Sequence, residues 1–246
     1  MTETNSSSTA PREGATGARK PERESLLANL LLNIVIPTVI LTKLSGDDWL
    51  GTKWAIVVAL AFPLAYGARD LMRSGKVNFF SALGVISILL TGGISLLELD
   101  AKYIAIKEAA IPGLLGIATV ASLYTPWPLV RTLLYNDRIL DTAKVAEALA
   151  GKGNEVAFER TLQQASWMIA GSFFLSSTLN YILAKVLLQS PPGTEAFNAE
   201  LGKMTALSFP VIALPATVIL MLVLFFLFRR IGKLTGLKLE EIVTQQ

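Results

Sequence analysis

Three stretches of the chain, 77–97, 161–184 and 204–228, contain no charged residue. Runs of that length leave few options. A helix that is apolar all round has to be buried, either in a large core or in lipid. A bilayer needs ~20 such residues per helix. In hydrocarbon each backbone N–H and C=O has to be satisfied within the protein, so each run has to be a helix. Three further runs, 26–42, 50–68 and 104–124, hold at most two charges each. The chain therefore reads as all-α, a polytopic membrane protein of six transmembrane helices.

Composition agrees. Hydrophobic residues make up 52% of the 246 positions, mean hydropathy is +0.52, and only 17% of residues are charged. Soluble domains lie nearer ~25% charged. There is no cysteine and no histidine. That excludes a disulfide framework, a thiolate metal site and a Ser-His-Asp or Cys-His arrangement. No catalytic residue, metal site or cofactor is expected. The net charge of +3 does not point to nucleic acid, because the basic residues flank apolar runs.

Sixteen of the 22 Lys and Arg residues fall on one side of a six-span arrangement with both termini inside, and six on the other. The positive-inside rule then places both termini of the multi-pass chain in the cytoplasm; the expected location is the inner (plasma) membrane. Residues 1–24, rich in Ser, Thr, Gly and Ala, read as a disordered cytoplasmic tail and not as a signal peptide. Residues 25–230 form the transmembrane domain, and 231–246 a short amphipathic cytoplasmic tail. The inner connection 125–160 should hold a surface helix over 143–150, capped by Asp141 or Thr142 and ended by Gly151, with Asn154 capping the next helix. Val130, Leu133, Leu134 and Tyr135 could lie along the interface, with Arg131 and Arg138 toward head groups.

One span opens with a charge. Glu108 sits four residues before Pro112, and a carboxylate beside lipid is costly. The proline cannot donate to the carbonyl four residues back, which is that of Glu108 itself. The first span repeats the pattern: Asn33-Ile-Val-Ile-Pro37 beside Glu108-Ala-Ala-Ile-Pro112. Six spans divide into two sets of three, and three is odd, so similar halves would be inverted 3+3 repeats. Asn180 lies on a third polar row with Ser172 and Ser176, and Ser87, Thr91 and Ser95 line up on a fourth. The candidate ion or solute site is Glu108, Asn33 and Asn180, aided by the carbonyls beside Pro37 and Pro112. The competing account is helix–helix adhesion through small and polar residues. A salt bridge from Glu108 to Lys102 or Lys107 also competes, though adjacent residues of a helix point apart, which makes Lys107 a poor partner. In the inner turn after the second span, Arg69, Asp70 and Arg73 suit lipid phosphates or a charge clasp.

The motifs Asn33-x-x-x-Pro37, Pro63-Leu-Ala-Tyr-Gly67, Lys107-Glu-Ala-Ala-Ile-Pro112, Asn180-Tyr181, Leu201-Gly-Lys-Met-Thr205 with Pro210 and Pro215, and Leu234-Thr-Gly-Leu-Lys-Leu-Glu-Glu241 span the membrane region. On these residues the chain resembles bacterial inner-membrane proteins related to intracellular septation protein A, some labelled major facilitator-like. The resemblance implies an integral membrane protein without an established reaction; septation protein A is associated with division and envelope integrity. The long polar N-terminal tail departs from that pattern. Two functions follow as expectations. One is transporter-like movement of a small solute or ion by a homo-oligomer in the lipid bilayer. The other is a non-transporting scaffold of the envelope or division machinery.

Overall fold

A computed structural model describes residues 30–74, 79–126, 128–135, 137 and 140–242. The expected tail over 1–24 lies outside them, as does the start of the first expected span. The described residues are helical and form no strand. The helices are α1 (Leu31–Lys43), α2 (Gly51–Ser74), α3 (Phe79–Leu96), α4 (Ala101–Ser122), α5 (Leu129–Leu134), α6 (Thr142–Lys152), α7 (Glu155–Leu187), α8 (Glu195–Thr235) and α9 (Leu239–Ile242).

Four of them, α2, α4, α7 and α8, are long and apolar enough to cross a membrane. Within α1 and α3 the apolar segments Leu31–Lys43 and Leu83–Leu96 are shorter than a span. The expected six spans thus correspond to four full-length helices and two shorter ones among the described residues. The last two exceed their expected limits: α7 has 33 residues and α8 has 41. At 1.5 Å per residue, α8 is roughly 60 Å long and extends well past the hydrocarbon.

Prolines explain the irregular turns. In α1 the turn Leu31–Val35 is a π-helix, where the Ile36 N–H reaches Leu31 O, five residues back. In α8 the turn Phe209–Ala213 is the same, with the Leu214 N–H bonded to Phe209 O. Both turns end two residues before a proline, Pro37 or Pro215. A proline ring collides with the carbonyl four residues earlier, and widening the turn by one residue relieves it. Pro63 and Pro112 sit inside α2 and α4 without such a turn. The expected likeness between the first and fourth spans is therefore absent at this level. The helix that shares the distortion with α1 is α8.

Packing forms a larger core at each end and a smaller one of Val130, Ala165 and Val223. At the end of the short loops 44–50, 97–100 and 188–194, Ile40, Leu41, Ile56, Ile104, Phe197 and Leu201 form one core. At the opposite end Leu140, Val145, Leu149, Phe158, Leu227 and Ile231 form another. Among the described residues, α7 and α8 contribute buried side chains to both. Helices also approach closely at glycines, in the short-loop core and beyond it. A Cβ on Gly202 would lie 2.9 Å from Thr42 Cγ2 and 3.1 Å from the Thr38 carbonyl oxygen. On α4, a Cβ on Gly116 would lie 2.9 Å from the Phe174 ring of α7.

The long connection is more than a surface helix. Helix α6 runs over Thr142–Lys152; Asp141 caps it by accepting the Lys144 N–H at 3.0 Å, and Gly153 in the left-handed region (φ 65°) ends it, not Gly151. The Asn154 side chain makes no cap. Its Nδ2 donates to the Leu234 carbonyl at 2.8 Å and ties α7 to the end of α8. The C-terminal segment docks there too: Ile242 O accepts from the Asp141 N–H at 2.9 Å and Glu241 pairs with Lys144 at 3.5 Å. On α5, Val130 is buried against Ala165 and Val223, and Arg131 pairs with Glu159 at 2.9 Å. These residues read as interfacial because an alternation of apolar and basic positions fits a membrane surface and a protein surface equally well.

Two outcomes test this packing. Gly202→Ala should destabilise the protein by ~1–3 kcal/mol, because the obstructing atoms include backbone. Gly93→Ala, whose Cβ would meet nothing within 4 Å, should leave the thermal melt unchanged. Glu200 of α8 accepts from the 188–194 loop: from the Gln189 N–H (2.9 Å), the Ser190 N–H (2.9 Å) and the Ser190 hydroxyl (2.7 Å). Burial raises its pKa, but these donors together outweigh burial and hold the carboxyl below the ordinary glutamate value. A depressed folded pKa contributes stability above the unfolded value of about 4.3 and loses it as pH falls through the lower folded value. Melting curves of wild type and Glu200→Gln should differ at neutral pH and converge in acid.

Candidate functional site

The charge at the start of α4 is a cluster, not a lone carboxylate. Lys107 is only 8% exposed. Its Nζ donates to Glu108 Oε1 at 2.6 Å, to Thr91 Oγ1 at 2.7 Å and to Ser87 Oγ at 3.2 Å. An ammonium has three N–H donors, and all three are used. Thr91 in turn donates to the Ser87 carbonyl at 3.0 Å. The row of hydroxyls expected on α3 is thus the bed of the Lys107 ammonium. The expectation that Lys107 is a poor partner for Glu108 is corrected. Adjacent Cα–Cβ bonds do diverge, but four methylenes let the ammonium swing back to its neighbour.

Glu108 does not meet Asn33. Helix α1 packs on α2 and α8, whereas α4 packs on α3, α5 and α7. Asn33 and Pro37 belong to the distorted start of α1. Asn180 lies on α7, against α4, and its Nδ2 donates to the Ser176 carbonyl of its own helix at 2.8 Å. Ser177 Oγ donates to the carbonyl of Ala109, the residue after Glu108, at 2.7 Å, and ties α7 to α4. Of the expected set, Glu108, Pro112 and Asn180 lie on one helix pair, and Asn33 and Pro37 lie elsewhere. Arg69 is exposed near the end of α2. The side chains of Asp70 and Arg73 lie outside the described residues.

Two features escape a reading of the sequence. Between α7 and α8 lies a cavity of about 230 Å³, lined by Ser172, Phe173 and Ser176 on one side and Ala216, Thr217 and Leu220 on the other. It sits near the middle of both long helices, directly after the π turn of α8. The row Ser172–Ser176 was visible in the sequence, but nothing there identified α8 as its counterpart. The second feature is Asn198, fully buried among apolar side chains. Its Nδ2 donates to Ser45 Oγ at 3.1 Å and to the Thr52 carbonyl at 2.8 Å. It joins α8 to the turn before α2.

The short-loop end also carries a polar groove of about 540 Å³ lined by Glu98, Asp100, Lys102, Lys185 and Gln189. Asp100 caps α4, and the Lys102 backbone N–H holds its carboxyl below the usual range. Glu98 adopts a positive φ of 53°, uncommon for a residue with a Cβ, and pairs with Lys53 at 3.2 Å. No group of His, Cys, Asp or Glu among the described residues is arranged to hold a metal ion. Compared with protein-family models, curated proteins and solved structures, the chain matches none of them.

The cluster makes a sharp energetic prediction. Lys107→Met leaves the Glu108 carboxylate without its partner and should cost ~3–5 kcal/mol, toward the lower figure because Glu108 is a quarter exposed. Replacing both, Lys107→Met with Glu108→Leu, should restore most of the loss in a thermal melt. A double variant as unstable as the single one would show that the pair is not the source of the effect.

Proposed function

We propose that this chain is an integral membrane protein of transporter type, with its solute site in the cavity between α7 and α8. The observation that carries this is the position of that cavity. It lies mid-helix, it offers the hydroxyls of Ser172, Ser176 and Thr217, and it adjoins a helix interrupted by a π turn and two prolines. Secondary transporters place their sites near the bilayer midplane where helices are broken. The two cores at opposite ends, bridged by α7 and α8, supply bodies that such an interruption could articulate. Lys107 and Glu108 would act as the ion- or proton-sensitive element on the neighbouring helix. The Lys and Arg distribution supports cytoplasmic termini in an inner membrane. Few helices enclose little central space, and Glu108 is partly exposed, so a homo-oligomer completes this reading.

A second reading keeps a specific observation of its own. A scaffold of the envelope, of the kind the septation protein A resemblance implies, needs polar groups sealed against water as helix contacts. The saturated Lys107 ammonium and the Ser177–Ala109 bond fit that description.

Cysteine accessibility separates the two, because the chain has no native cysteine. Single cysteines at Ser172 and Ser176 should react with a membrane-impermeant thiol reagent in reconstituted vesicles. A cysteine at Leu222, 55% exposed on the outer surface of α8, should be protected by lipid. Protection at all three positions would remove the cavity from any transport path and leave the scaffold. In the same vesicles, Glu108→Gln should lower dye-reported proton flux under an imposed pH gradient. Equal flux in variant and wild type would remove Glu108 from coupling.

A further inference from the structure

A third concavity lies between α1 and α2. Its volume is about 370 Å³ and it is lined by Leu32, Ala61, Phe62, Ala65, Tyr66 and Arg69. The volume falls within the roughly 300–1,000 Å³ of ligand sites. Ala61, Ala65 and Arg69 recur every fourth residue and share one face of α2. Leu32, from the widened first turn of α1, lines the concavity together with Ala61, Phe62, Ala65 and Tyr66 of α2. The π turn matters here, because it sets where Leu32 stands against α2. The row of Ala61 and Ala65 ends in the Arg69 guanidinium. From Ala61 to Arg69 is about 12 Å along the helix axis.

An apolar trough about 12 Å long, closed at one end by an exposed arginine, has the chemistry of one lipid molecule. An acyl chain fits the trough, and a phosphate fits the planar donor fork of arginine. The charge distribution puts Arg69 at the cytoplasmic leaflet, where anionic lipids reside. We propose that this groove is a binding site for an anionic glycerophospholipid, its phosphate held by Arg69 and one acyl chain lying over Ala61 and Ala65. The lipid would fill the gap between α1 and α2 and brace the distorted start of α1. This site is separate from the α7–α8 cavity and does not depend on transport.

Native mass spectrometry of the detergent-solubilised full chain tests it, with equimolar palmitoyl-oleoyl phosphatidylglycerol and phosphatidylcholine as the probes. Wild type should retain phosphatidylglycerol in preference. Arg69→Gln should lower that preference about fivefold, the effect of one interfacial cation on an anionic lipid. Arg69→Lys should restore part of it. Ala65→Phe, which fills the trough and keeps the charge, should reduce the retained lipid of both kinds. Arg229→Gln, an exposed cation at the end of α8 away from the groove, should change nothing. Excess inorganic phosphate should not displace the lipid. Equal retention of both lipids by wild type, or an equal effect of the Arg69 and Arg229 substitutions, would overturn the proposal. Displacement by inorganic phosphate would also overturn it, in favour of a free-anion site. If Arg69→Gln does not fold, Arg69→Lys and Ala65→Phe decide, and wild-type retention in both sinks the site.

Discussion

Four of the described helices are long and apolar enough to cross a membrane, and the absence of water from a bilayer interior is the constraint that such helices answer to. With no solvent to take up a stray N–H or carbonyl, the chain has to be helical wherever it crosses, and every departure from regular helix needs a local remedy. Two prolines show one form of remedy: before Pro37 and Pro215 the helix widens by one residue. The same constraint governs side chains. Lys107 is tolerated because Ser87, Thr91 and Glu108 take all its protons. Removing water also removes the hydrophobic attraction between helices, so close approach at small residues has to hold them together. Gly202 against α1 and Gly116 against Phe174 are that approach.

The two ends of the molecule obey a different rule. There the helices extend beyond an apolar run, and ordinary cores reappear. Phe197, Leu201 and Asn198 lock the short-loop end, while Leu140, Val145 and Ile242 lock the other. The middle, held mainly by helix surfaces, contains both the α7–α8 cavity and the π turn of α8. A cavity and a proline-marked turn at the middle of two long helices suit a protein whose working part lies at the centre. The apolar cores equally brace long helices against one another in a protein that does not move. Water access to Ser172 and Ser176 is therefore the property that separates the two functions.

Much of the fold was legible, and the reasons are periodic. Apolar runs located the long helices, Asp141 located the start of α6, and the polar rows marked faces that do meet neighbours. The site was legible only in part. Glu108 was visible as a cost in need of a partner, and the Ser87–Thr91 row was visible as hydroxyls. Their union through Lys107 was not, because it depends on the path of a flexible side chain and on α3 lying beside α4. The pairing of Asn33 with Glu108 rested on a five-residue echo. Such an echo describes local backbone chemistry, and it does not say which helices are neighbours.

What the sequence determined by itself was the solvent and the secondary structure. Uncharged runs of bilayer length, with the Lys and Arg placed between them, allow little else. Tertiary structure alone decided which polar groups share a site. It set Lys107 among the α3 hydroxyls, put α8 opposite Ser172 and Ser176, and sent Asn33 to a different face from Glu108. The physical reason is that hydrophobicity acts one residue at a time, whereas a site depends on the order in which helices pack. In lipid that order is chosen by glycine contacts and a few hydrogen bonds, whose partners lie tens of residues away in the chain.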